Sequence, residues 1–181
     1  MLKVEIRRPK IEDQEELNQF FRTVLTDTFA REGLADLVED IEADIESKKK
    51  YLQMDFETSG EKRYFLIALT KNKIIGTITC GNANELIQES TNGALRNTIE
   101  IGTIYVLSEY QRQGVGNQLL AEMLKTLMAR EIQEFCLDSG FKTAQTIWKK
   151  KFGEPEYWLK DYWGQGQDHM IWKIPTKGVY F

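Results

Sequence analysis

The chain has one histidine, His169, two cysteines, Cys80 and Cys136, and three prolines among its 181 residues. A lone histidine and two scattered cysteines cannot assemble a zinc cluster, so no metal is expected. Both cysteines lie in apolar, strand-like runs and read as small buried hydrophobes. With no leader pattern at the N-terminus, this usage predicts a reducing, cytoplasmic setting. No apolar run approaches the roughly 20 residues needed to cross a bilayer, which predicts no membrane partner. A basic surplus is missing too. The formal charge of -4 argues against nucleic acid as a partner. What is present, 41% hydrophobic and 29% charged residues, is the make-up of a soluble globular domain with a sizeable core.

Alternation from Leu2 to Ile6 predicts a half-buried strand, closed by Pro9. Asp13, Glu15 and Glu16 open a helix whose apolar face is Leu17, Phe20, Phe21, Val24, Leu25 and Phe29, broken at Gly33. A second helix turns Leu37, Val38, Ile41 and Ile45 inward and ends at the solvated run Lys48-Lys49-Lys50. Arg63 to Thr70 and Ile74 to Thr79 form a hairpin across Lys71-Asn72-Lys73. Gly81 to Arg96 is polar and reads as a long loop with about one helical turn. Ile99 to Val106 is a strand rich in β-branched and aromatic residues. Val115, Leu119, Leu120, Met123, Leu124, Leu127 and Met128 then mark one helix face. Glu134 to Leu137 is a short buried strand, and Asp138-Ser139-Gly140 a turn whose Asp or Ser caps a helix from about Lys142 to Lys151. Gly153 and Pro155 end that helix, and Tyr157 to Tyr162 and His169 to Lys173 close the chain as strands. There is no repeat, low-complexity tract or linker, so the expectation is one α+β domain over residues 1–181. Its tail, 174–181, ends in Val-Tyr-Phe and either docks on a partner subunit, as in a homodimer, or frays.

The stretch that carries chemistry is Gln111-Arg-Gln-Gly-Val-Gly116 between the central strand and its helix. Backbone N–H groups at a helix start lack intrahelical partners and face the positive end of the dipole. Gly114 and Gly116 remove side chains from that end, which makes an anion cradle suited to a pyrophosphate. A P-loop does not fit, because Asn117-Gln118 stands where Lys and then Ser or Thr are needed. A dinucleotide fold fits in part, with Gly114-Val-Gly116 and Glu134 about twenty residues on. However, Leu119 replaces its third glycine, and seven residues separate Val106 from Gly114. A plain glycine-punctuated turn is the simplest alternative.

Gln111, Gly114 and Gly116, preceded by Val106 and Glu109-Tyr110, resemble the coenzyme A loop of the GNAT superfamily of N-acetyltransferases. That signature is Gln or Arg, two residues, Gly, one residue, then Gly or Ala. The succession of elements is similar to the family's over essentially the whole chain, and Ala144-Gln-Thr-Ile-Trp-Lys-Lys-Lys-Phe-Gly153 looks like its late helix. The resemblance implies a three-layer α/β-type α+β fold, with a mixed sheet of about six to seven strands, splayed after the fourth, and about four helices. It implies acetyl-coenzyme A as cosubstrate and direct attack by a primary amine, on a small molecule or a peptide, within a ternary complex. The backbone of Ile104, Tyr105 and Val106 would meet the acetyl group and pantetheine. Gln111, Arg112, Gln113, Gly114, Val115, Gly116 and Asn117 would hold the pyrophosphate.

An amine must lose its proton before it attacks, and a carboxylate commonly takes it. Glu100 is the first candidate, an acid within an otherwise largely apolar strand and six residues before Val106, close to where the histone-acetylating branch places its base. The plain alternative is an acid at an exposed strand start. Asp138 is the second candidate, with helix capping as its alternative. The sequence departs from the family's late helix, where an Asn and, seven residues later, a Tyr often stand. Here they are Phe141 and Trp148. Trp148 has no proton to give a departing thiolate, although its ring suits the pantetheine arm; Tyr105 or solvent would have to serve. The same resemblance places the acceptor groove at Thr28, Phe29 and Glu32 and at Tyr157, Trp158, Tyr162, Trp163 and His169, acids and aromatics that suit a cationic amine. A non-catalytic acyl-coenzyme A-binding domain is the alternative function.

Overall fold

The structure, a computed structural model, describes residues 1–179. Among the described residues, seven strands form one sheet in the order β1-β2-β3-β4-β5-β7-β6, and five α-helices accompany them. The strands are β1 (Glu5–Arg7), β2 (Arg63–Thr70), β3 (Lys73–Asn82), β4 (Ile99–Val106), β5 (Glu134–Ser139), β6 (Tyr157–Leu159) and β7 (His169–Pro175). The helices are α1 (Gln14–Arg31), α2 (Val38–Thr58), α3 (Glu85–Ser90), α4 (Val115–Ala129) and α5 (Lys142–Phe152). The chain clusters into two compact units, one of Met1–Gly81 with Thr103–Thr126, the other of Asn82–Gly102 with Leu127–Val179.

In the first unit, β1, β2 and β3 are antiparallel neighbours. Their hairpin turns on Lys71 and Asn72, both at positive φ, the geometry whose twist matches paired strands. The predicted face of α1 is buried from Leu17 through Phe29, and Phe21 meets Phe65 of β2 at 6.2 Å between ring centroids. Helix α2 runs two further turns past the lysines, to Thr58, so the lysine run is not a helix end. Its buried stripe is Ile41, Ile45, Leu52 and Asp55, while Leu37 and Val38, expected inward, are exposed at the helix start. Asp55 is 1% exposed and accepts from the backbone N–H of Phe65 (2.7 Å) and from Arg8 Nη2 (2.6 Å).

In the second unit, β5 pairs in parallel with the start of β4 at Ile99↔Phe135 and Glu100↔Cys136, and antiparallel with β7 along its whole length. Strand β5 continues through Asp138 and Ser139, so Asp138 sits in a strand and caps nothing. Strand β6 stops at Leu159, short of Tyr162, because Asp161 turns the chain at positive φ and its N–H binds Asp168. The polar stretch before β4 holds a helix, α3. Asn84 caps it, its Oδ1 accepting from the N–H of Ile87, and Ile87 is buried with Ala83, Leu95, Cys136 and Ile171. Both cysteines are buried, as their surroundings in the sequence predict. No helix among the described residues is long and apolar enough to cross a membrane.

Candidate active site

In the first unit the end of β4 leads into the glycine loop. Thr103 takes φ +50 inside the strand, a break in extended geometry at a residue with a β-branched side chain. Its carbonyl accepts from Thr77 Oγ1 at 2.8 Å, and its own buried Oγ1 has no partner. Leu107 N–H donates to Ile75, fixing the exit from β4. Gln111 braces the loop: its Nε2 donates to the carbonyl of Val106 (2.9 Å), and its Oε1 accepts from Arg31 at the end of α1 (2.8 Å). The side chain of this first motif residue is therefore occupied within the protein. Arg112 and Gly114 both have positive φ. Leu2 N–H donates to Gln113, and Gln118 Nε2 donates to Leu2, which ties the N-terminal segment to the loop.

Helix α4 begins at Val115, which packs into the core, while a Cβ placed on Gly116 would meet nothing within 4 Å. At Gly116 the helix start thus faces open space, whereas a Cβ on Gly114 would stand 2.8 Å from the Met1 side chain. Near the same strand, Lys48 has a side chain only 15% exposed and pairs with Asp44 at 3.1 Å. Burial opposes its charge, but Tyr105, Asp44 and Tyr51 outweigh that and hold its pKa above the ordinary lysine value. Phe29, expected to face an acceptor, belongs to the buried stripe of α1, and Glu32 ends that helix.

The second unit gathers a polar network from five segments. Glu100, 5% exposed, accepts from Asn84 N–H at 2.8 Å and Asn84 Nδ2 at 3.1 Å. It is therefore not an acid facing water at a strand start. Asn84 Nδ2 also reaches Asp138 Oδ2 at 3.3 Å. Its two amide hydrogens can serve one carboxylate each. Asp138 Oδ2 lies 2.8 Å from His169 Nε2, and Trp163 Nε1 donates to His169 Nδ1 at 3.1 Å. An indole N–H can only donate, so Nδ1 is the acceptor and Nε2 carries the proton toward Asp138. His169 is thereby a neutral imidazole. A Cβ on Gly140 would stand 2.8 Å from Trp163 Nε1 and 3.1 Å from His169 Nδ1, so glycine leaves that bond room. Burial first, then the carboxylates of Glu100 and Asp138, push the Cys136 thiol well above its usual value. Asn84 was legible in the sequence only as part of a polar loop; the acid, cap and apolar pair of Asn84-Glu-Leu-Ile87 were the signal for it.

Trp148 stacks on Phe152, with ring centroids 5.9 Å apart, and Phe152 meets Phe135 edge-on. Gln145 anchors the start of α5, donating to the carbonyls of Ser139 and Asp168, both at 2.9 Å. Trp158 binds Asp168 through its indole N–H and lies under Lys149, so it is engaged within the fold. Trp163 and Tyr162 remain 59% and 45% exposed. Tyr180 and Phe181 of the predicted tail lie outside the described residues. No group of three or more metal-ligating side chains occurs among the described residues.

A family model described as Acetyltransferase (GNAT) family matches residues 27–153. A comparison with curated protein sequences finds no match. Among solved structures, the chain is similar to PaiA N-acetyltransferase from Thermoplasma acidophilum in complex with coenzyme A. The TM-score is 0.68 at 22% identity, over 96% of this chain and 99% of that one. It is also similar to ribosomal-protein-alanine N-acetyltransferase from Brucella melitensis, with TM-score 0.66, 18% identity, and 94% and 99% coverage. Aminoglycoside 6'-acetyltransferase type Ii gives TM-score 0.64 at 12% identity, over 95% and 97%. At these identities the structures speak for the fold; the family model spans well over half the sequence. The chain belongs to the GNAT family of acetyltransferases, and its fold is the family's.

Proposed function

We propose that the protein transfers an acetyl group from acetyl-coenzyme A to a primary amine, on a small molecule or a peptide, by direct attack. The observation that carries this is the start of α4, with Gly116 facing free space and Gly114 at positive φ. The N–H groups from Arg112 to Asn117 would hold the pyrophosphate, and the backbone of Ile104, Tyr105 and Val106 the acetyl and pantetheine groups. Gln111 supports the loop from behind. Of the two acids, Asp138 is the better placed to receive a proton, because it adjoins a titratable imidazole, whereas Asn84 engages both oxygens of Glu100. Trp163 and Glu32 are assigned to the acceptor, and Trp148 to the pantetheine arm. Tyr105, close enough to Lys48 to affect its charge, is the phenol that would protonate the leaving thiolate. The whole chain would act as a single domain.

Titration calorimetry with acetyl-coenzyme A, with NAD and ATP as controls, tests the cradle. Selective binding of the thioester is expected. Gly116→Val, whose side chain has room in the free protein, should keep the fold and weaken binding at least about tenfold by blocking backbone approach. Unchanged affinity in this variant would remove the cradle. The replacement of the late-helix acid by Trp148 favours the non-catalytic alternative, an acyl-coenzyme A-binding domain; free thiol released across an amine panel decides against it.

A further inference from the structure

We propose that Trp163 and His169 form a pH-operated cover: when the imidazole takes a second proton, the indole is expelled into solvent and the Asp138–His169 pair is uncovered. The device lies wholly within the second unit and involves no coenzyme. Trp163 Nε1 donates to His169 Nδ1 at 3.1 Å, and His169 Nε2 carries its proton toward Asp138 at 2.8 Å. Only a neutral imidazole fits between these two neighbours, because an indole N–H donates and never accepts. A second proton on the ring must go to Nδ1. It then faces the indole N–H, donor against donor, and that contact opens. The Asp138 carboxylate favours opening, since it stabilises the imidazolium, and the indole bond opposes it. Histidine suits such a trigger, as its charge ordinarily changes between about pH 5 and 8.

The indole is free to leave. His169 is only 5% exposed, while Trp163 is already 59% exposed, so turning it outward uncovers little new apolar surface. The loop between β6 and β7 does not depend on the indole for closure. Trp163 N–H donates to the carbonyl of Gln167 at 3.0 Å, Gly166 N–H to Asp161 Oδ1 at 2.6 Å and Asp161 N–H to Asp168 Oδ1 at 2.9 Å. Rotation of one side chain is therefore enough. The groups facing the imidazole set the direction. From β5 they are Asp138 and, beyond it, the Cys136 thiol; from β4, Glu100 behind Asn84; from the loop, Tyr162, its ring 5.8 Å away. Leu159 of β6, opposite His169, is apolar. Asp168, the preceding residue, spends its carboxylate on Trp158 and the N–H of Asp161, with Lys142 and Lys160 close to it. Asn84 holds the Asp138 carboxylate in place, so the charge that draws the proton stays fixed as the cover moves.

Because His169 is the only histidine in the chain, its imidazole gives one set of ¹⁵N resonances in the full-length protein, and no substrate is needed. Trp163→Phe identifies the indole N–H resonance of Trp163 by its loss. At neutral pH the spectrum should show the Nε2-protonated tautomer, with the Trp163 indole N–H protected from exchange. On acidification the imidazole and indole resonances should move with one midpoint, and the indole N–H should lose its protection. Far-ultraviolet circular dichroism should stay native through that range. Opening and protonation are linked, so each favours the other. Trp163→Phe should therefore raise the pH at which the imidazole takes its second proton by about half a unit, about threefold in the protonation constant, the size of one neutral hydrogen bond. Asp138→Asn should lower it by about one unit or more, and the indole midpoint should follow. In folded His169→Gln the Trp163 resonance should no longer respond to acid. A neutral-pH spectrum with the proton on Nδ1 overturns the proposal. So does an indole N–H that stays protected once the imidazole is doubly protonated, or an indole midpoint that ignores Asp138→Asn. An imidazole that stays neutral until the whole fold is lost overturns it as well. Each of these outcomes leaves the acetyltransferase reading as it stands, since that reading is tested by coenzyme binding and thiol release.

Discussion

At the residue scale, Asn84 does three things at once: it caps α3, binds both oxygens of Glu100 and reaches Asp138. Only an amide can do this, because it offers an acceptor to the helix and two donors to the acids. Asn84→Ala removes the cap, worth about 1 kcal/mol, and strips a buried carboxylate of one side-chain donor, worth about 1–3 kcal/mol more. Urea unfolding should register the summed loss, and amide exchange in α3 should rise. A loss indistinguishable from zero would mean that water replaces the amide without penalty. The same residues explain why Cys136 is inert: burial and two nearby carboxylates disfavour its thiolate.

At the element scale, α2 is held to β2 and to the chain after β1 by one buried acid. Asp55 accepts from Phe65 N–H inside the sheet and from Arg8 outside it. Arg8 keeps a side chain 34% exposed and would be hydrated alone; the N–H of Phe65 would not. Asp55→Ala is expected to cost about 3–5 kcal/mol, the range for breaking a buried, hydrogen-bonded ion pair, and chemical denaturation measures it directly. Asp55→Asn, which can still accept from Phe65, should recover part of that loss. The glycine loop is also built from outside itself. Arg31 at the end of α1 and Leu2 before β1 hold Gln111, Gln113 and Gln118. Local sequence supplied the cradle's glycines, and distant segments supply its rigidity.

At the scale of the whole molecule, acid sensitivity follows from where the depressed carboxylates lie. The Arg7 hydrogen bond, helped by the N–H of Lys10, holds Asp13 below its ordinary value of 3.8 although partial burial works the other way. A carboxyl with a depressed folded pKa stabilises the fold above its unfolded pKa and loses that contribution as pH falls through the folded value. Asp13→Asn should therefore be less stable than wild type by about 1–2 kcal/mol at neutral pH, with the gap closing below about pH 4. Denaturant midpoints at neutral and acid pH read it. A gap that persists in acid would assign the effect to packing and not to charge. Glu42 and Asp168 are also depressed, by Arg22 and by the Asp161 N–H respectively, but Glu42 is exposed and Asp168 only partly covered, so salt should screen them.

The sequence by itself determined the strand, glycine loop and helix from Ile99 to Ala129, the apolar face of α1 and the seven-strand succession, because periodicity and turn chemistry are local properties of neighbouring residues. It also carried the family, through the spacing of Gln111, Gly114 and Gly116. It allowed about one helical turn between Gly81 and Arg96 but did not place α3, whose six residues are too few to show a period and which depends on burying Ile87 against β5 and β7. It named Glu100 and Asp138 as candidate bases, with an exposed strand start and a helix cap as their alternatives, and gave neither acid its partners, since a side chain's partner across a sheet leaves no mark on its own neighbours. Only the tertiary structure decided that Asn84, Glu100, Asp138, Trp163 and His169 form one hydrogen-bonded chain. Those five residues come from separate segments, and what joins them is the register of β4, β5 and β7, which the packing of the folded chain selects.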